Sequence, residues 1–130
     1  MPINISWKLA VQVASGPAYV AANALQVDAL DRIEVTVPNA ITTTINVQPG
    51  AAGKTKFLLI QSSKYDATKL KYFVHDNTTT QRSLTEALFL VDAGGLDLLE
   101  DPAAPLDKLV VDNTTGDDVV LDILVGRDAI

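Results

Sequence analysis

The chain has no cysteine. Disulfides, thiolate metal sites and nucleophilic thiols are therefore excluded. His75 is its one histidine, so a zinc site would need carboxylates for the remaining ligands. Aromatic residues make up 5% of the chain, which is sparse for a surface that stacks sugars. Basic residues are outnumbered, 10 Lys and Arg against 16 Asp and Glu, for a net charge of −6. That balance lacks the basic stripe required by nucleic acid and does not favour an anionic lipid surface. It also lies within the usual solubility charge of a small domain. No apolar run approaches the ~20 residues that span a bilayer. No basic segment leads into an apolar stretch at the start, so a signal peptide is not expected.

What is present is strand pattern. The 130 residues are 48% apolar, enough for one domain, expected over 1–130, with a real core. Ile3, Ile5, Trp7, Leu9, Val11 and Val13 occupy every second position, with Asn4, Ser6, Lys8, Ala10, Gln12 and Ala14 between them. Period two places the six large side chains on one face, which predicts a strand in an antiparallel sheet with one buried and one wet side. Ser15-Gly16-Pro17 separates it from an Ala-rich strand, Tyr19 to Val27. Ile33, Val35 and Val37 alternate with Arg32, Glu34 and Thr36. Ile41 to Val47 is a Thr-rich strand with a polar outer face. Further strands are expected at Phe57 to Ile60, Leu70 to His75, Leu88 to Val91, Leu96 to Leu99, Leu109 to Val111 and Val119 to Val125. Asp92-Ala93-Gly94-Gly95 fits a hairpin turn, and so does Asn113-Thr114-Thr115-Gly116-Asp117. One segment competes: Ser83-Leu84-Thr85-Glu86 matches a capping box and allows a short helix near 84–91. The fold expected is all-β, an antiparallel sandwich of jelly-roll type with about 8–10 strands.

A faint repeat aligns Leu70–Thr79 with Leu106–Thr115, in each case a strand running into an Asx-type turn. It reads as repeated turn chemistry or as equivalent strands in two packed sheets.

Chemical motifs are few. Gln48 to Thr55 resembles a phosphate-binding loop, but Gln48 stands where the motif needs glycine, and a strand rather than a helix is expected to follow. Asp112, Asp117 and Asp118, with Asp122, gather around Gly116 and are candidate oxygen ligands for calcium. The EF-hand spacing is not met, and acidic residues at a hairpin tip also serve to keep an edge wet. His75 as a base would need an orienting acid, and neighbouring Asp76 points to the opposite side of a strand. Ser62, Ser63 and Ser83 lack the nucleophile-elbow context. Trp7, Tyr19, Tyr65 and Tyr72 are candidates for a sugar platform, with core packing the competing role. The acceptor patterns Asn4-Ile5-Ser6, Asn77-Thr78-Thr79 and Asn113-Thr114-Thr115 fit turn chemistry equally well. No catalytic residue and no cofactor are assigned.

Two segments are apolar on both faces. Val119, Val120, Leu121, Ile123 and Leu124 fill most of the last strand, and Phe57 to Ile60 form a continuous run. Either both are central strands, or a neighbouring subunit covers one side. The candidate interface positions are Val120, Leu124, Phe57 and Leu59.

In composition and layout the chain resembles the small β-sandwich accessory proteins of tailed bacteriophage virions, which decorate capsids or build tails. Leu106 to Arg127, an acidic-turn hairpin entering a long apolar strand, carries the resemblance best. The resemblance implies a non-enzymatic structural protein, made in a host cytoplasm and placed in a virion. It would act by symmetric homo-oligomerisation and contact other virion proteins, but neither nucleic acid nor membrane. The alternative is a carbohydrate- or calcium-binding adhesion module.

Overall fold

The computed structural model describes residues 3–47, 54–75, 81–96, 98–99 and 106–128. Ten strands and one short helix follow in order: β1 (Ile3–Gln12), β2 (Ala18–Val27), β3 (Ala29–Val37), β4 (Ile41–Asn46), β5 (Thr55–Ser62), β6 (Asp66–Val74), β7 (Arg82–Leu84), β8 (Leu88–Val91), α1 (Asp92–Leu96), β9 (Lys108–Asn113) and β10 (Val119–Arg127). Strands β3-β10-β5-β8 form one four-stranded sheet, and β4-β9-β6-β7 form a second. Each pairing is antiparallel. The pairs nest: β3 with β10, β4 with β9, β5 with β8 and β6 with β7. Folding such a nested set of hairpins over itself makes a jelly roll, so the sandwich expected from strand spacing is the fold observed.

Between the sheets lies the main core. Val119, Leu121, Ile123 and Val125 line the inner side of β10, each with no exposed surface. They meet Leu58 and Ile60 of β5, Leu70, Tyr72 and Val74 of β6, and Leu109 and Val111 of β9. Leu96 of α1 and Leu106 close one side of this layer.

The turn after β9 is held by one buried amide. Asn113 donates through Nδ2 to the carbonyls of Val37 (3.0 Å) and Asp117 (2.8 Å). Its Oδ1 accepts from the backbone N–H of Thr115 (3.1 Å) and from Thr115 Oγ1 (2.7 Å). This is the Asx turn predicted there, with Gly116 in the left-handed region at φ 95°.

Four expectations are corrected. The segment 84–91 holds no helix: Arg82–Leu84 pairs with β6 and Leu88–Val91 pairs with β5. Pairing buries Leu84 and half-buries the apolar side chains of β8, which outweighs the capping signal. Leu96 to Leu99 is not the second arm of a hairpin: α1 occupies Asp92–Leu96, and the N–H groups of Leu98 and Leu99 bond the carbonyls of Gly95 and Leu96. The two copies of the repeat are not equivalents in opposite sheets, because β6 and β9 are neighbours with Leu70 opposite Asn113. The Asn77 turn of the first copy lies outside the described residues. Finally, among the described residues β1 pairs with neither sheet of the sandwich, and the apolar face it shows is exposed at Ile3, Leu9 and Val11.

Asn113→Ala removes the donor to the Val37 carbonyl, one of two donors to the Asp117 carbonyl, and the acceptor of the Thr115 N–H. An equilibrium urea titration should show a loss of about 3 kcal/mol; a loss below 0.5 kcal/mol, the usual range for an unconstrained surface position, would show that water replaces the amide.

Candidate functional site: an uncharged arm and the cleft at its base

Among the described residues, strands β1 and β2 pair only with each other, in register from Ile3 opposite Val27 to Gln12 opposite Ala18. Ten residues at about 3.4 Å each make an arm about 34 Å long. Its turn is closed by Gly16 N–H to the Val13 carbonyl (2.9 Å), and Gln12 Nε2 donates to the carbonyls of Val13 and Gly16. The arm is continuous in sequence with the first sheet. Asp28 alone separates β2 from β3, and its N–H donates to the Arg127 carbonyl at 2.9 Å.

Opposed residues of an antiparallel pair share a face. Ile3, Ile5, Trp7, Leu9 and Val11 therefore lie beside Val27, Leu25, Asn23, Ala21 and Tyr19. The base of this face folds onto the outer side of the first sheet. Ile5 and Val27 are buried there with Phe57, and Trp7, Leu25, Leu59, Phe89, Val91 and Leu124 pack around them. Trp7 meets Phe89 edge-on with ring centroids 5.6 Å apart, and Phe57 meets Phe89 at 5.5 Å. Gly126 makes this approach possible. A methyl group there would stand 3.0 Å from Ile5 Cδ1 and 3.2 Å from Phe57 Cβ.

The distal half packs on nothing described. Leu9, Val11, Val13, Tyr19 and Val20 are between 46% and 62% exposed. From Ile3 to Val27 the sequence holds one charged side chain, Lys8. Beside the arm base lies an open cleft of about 480 Å³, lined by Phe57, Leu59, Ala87 and Phe89 of the body and by Ser6, Trp7, Lys8 and Leu9 of the arm itself. A smaller hollow of about 170 Å³ lies on the same sheet face, between Leu59, Leu124, Gln61 and the Arg32–Asp122 pair.

The four interface candidates fall on this outer face. Strands β5 and β10 are both central in their sheet. Phe57 is buried beneath the chain's own arm, Leu59 and Leu124 are half-buried at its margin, and Val120 is exposed. Not anticipated from sequence was the arm itself. Its signal was available in the near absence of charge from Ile3 to Val27, which is unusual for residues facing water.

The other candidates are spread out and engaged. Asp117 takes an ion pair from Lys64 Nζ at 2.8 Å, Asp118 accepts from the Asn39 N–H at 3.0 Å, and Asp112 accepts from Thr42 Oγ1 at 3.4 Å. Among the described residues no group of three or more His, Asp or Glu side chains converges as metal ligands would. His75 sits at the end of β6 with φ 58°, its Nδ1 2.9 Å from Asp107 Oδ1. The serine hydroxyls are bound to backbone: Ser62 to the Lys64 carbonyl, Ser63 to the Val120 N–H and Ser83 to the Ala67 carbonyl. Tyr72 is in the main core, where burial raises its hydroxyl pKa, and Tyr65 packs against that core. Only Trp7 and Tyr19 of the four aromatics share a surface, the arm face. The P-loop-like glycines lie outside the described residues, and Thr55 beyond them opens strand β5.

No protein-family model matches the chain, and no match was found among curated proteins or solved structures.

The ion pairs fix a pH dependence. Asp122 is held below the ordinary aspartate value of 3.8 by its hydrogen bond from Arg32 and by that residue's charge, and Asp117 likewise by Lys64. A lowered native pKa adds stability above the unfolded value and loses it as pH falls through the native one. The melting-temperature gap between wild type and Arg32→Met should therefore be present at pH 7 and close as pH falls below 3.8. A gap that widens on acidification would contradict the pairing.

Proposed function

We propose that this chain is a non-enzymatic structural protein that builds a symmetric homo-oligomeric assembly through apolar β surfaces, with a virion as its setting. The observation that carries the reading is the arm: a ribbon with one charge, apolar on one face and half exposed along its distal part. A two-stranded hairpin is marginal alone in water, and monomeric proteins seldom expose contiguous apolar patches of this kind. Depletion of charge together with aromatic side chains marks the centre of protein interfaces. The jelly roll adds only analogy, since capsid, lectin and cupin proteins all use it. Engagement of the serines, of Asp117 and of Asp118 in turns and ion pairs favours a structural role over a catalytic one.

Light scattering coupled to size-exclusion chromatography should give a mass several times the 13.8 kDa of the chain. The double variant Val11→Glu with Tyr19→Lys places opposite charges on directly opposed residues, which preserves the hairpin register. It should run as a monomer with a melting curve within about 0.5 kcal/mol of wild type. A monomeric wild type at every concentration would overturn the proposal, and an unchanged mass for the variant would remove the arm from it.

A further inference from the structure

We propose that the occupant of the cleft is the distal arm of a second copy of this chain, so that subunits join head to tail. The inference rests on the assembly reading above and names its contact.

Three observations converge. First, the molecule already contains one example of the contact. Side chains of the arm's apolar face are seated on Phe57, Leu59, Phe89 and Leu124 at the base, so this sheet surface fits that face. Second, both the arm and the surface continue past the contact without cover. The arm runs on through Val11 and Tyr19, and beside Trp7 and Leu9 the sheet surface opens into the cleft that Ala87 also lines. A paired ten-residue ribbon carries its tip about 34 Å from its own base, so the uncovered tip meets the cleft only between molecules. Third, charge permits it. With the chain at −6 and Lys8 the arm's single charge, the remainder carries −7, that is −6 minus +1. The one charged residue lining the cleft is Lys8, and the arm beyond it carries no charge, so no like charges meet on docking.

Such a contact is heterologous: a tip on one side of the interface and a cleft on the other. It closes into a ring when the rotation between neighbours divides a full turn. Arm-to-arm stacking, face against face, would instead be two-fold and would leave the cleft empty.

The absence of cysteine makes the test clean. Val11→Cys and Ala87→Cys are prepared as separate proteins, mixed, and oxidised. The expected result is a disulfide-linked dimer formed between the two variants and far more abundant than either variant's own dimer. Dimers of Val11→Cys alone, from protein that still assembles, would overturn the tip-to-cleft contact while leaving the assembly reading intact. A wild-type chain that stays monomeric would overturn both and assign the arm to a different protein.

Discussion

Strand β10 carries apolar side chains on both faces, the inner one sealed in the sandwich and the outer one covered in part by the base of the arm. Val119, Leu121, Ile123 and Val125 point inward and seal the sandwich, where burying one such side chain is worth about 2 kcal/mol. Leu124 and Gly126 point outward, and the base of the arm comes down over them. The central place of β10 in the order β3-β10-β5-β8 is consistent with this, its outer face being apolar except for Asp122, which pairs with Arg32 of β3. Gly126 lets Ile5 and Val27 approach closely enough to form a second, smaller core outside the sandwich. The arm is thereby anchored at one end only.

That one-sided anchoring shapes the energetics. The sandwich buries its own apolar surface and satisfies its turns internally, with the Asn113 amide as the tightest example. The arm buries Ile5 and Val27 and leaves Leu9, Val11, Val13 and Tyr19 in water. Nothing in the hairpin requires these residues to be apolar. Thr, Lys or Glu at the same positions would hold the register and keep the ribbon soluble. Their identity makes physical sense for a surface that is covered in the working state. Ion pairs tie up Lys64 with Asp117 and Arg32 with Asp122.

Much of this was legible in the residues. Alternation placed β1, β3 and β4 within a few residues of their observed ends, and the double-faced runs marked β5 and β10 as special. The jelly-roll order was compatible with strand spacing but not specified by it, since pairing between β3 and β10 depends on contacts far apart in sequence. Period two in β1 revealed a one-sided strand and left open what would cover the side. The charge count from Ile3 to Val27 would have separated the arm from the sandwich strands, because β3 alone carries Asp31, Arg32 and Glu34. The capping box at Ser83 misled for the same reason: local preference is decided by tertiary pairing, here with β6.

Amide hydrogen exchange across a dilution series tests the central claim most directly, that the sandwich is complete in one chain and the arm is completed by another. The account predicts that exchange in β5, β9 and β10 is slow at every concentration, whereas amides from Lys8 to Val20 become slow only as concentration rises. Arm amides that exchange rapidly at the highest concentration, or at a rate independent of it, would contradict the account.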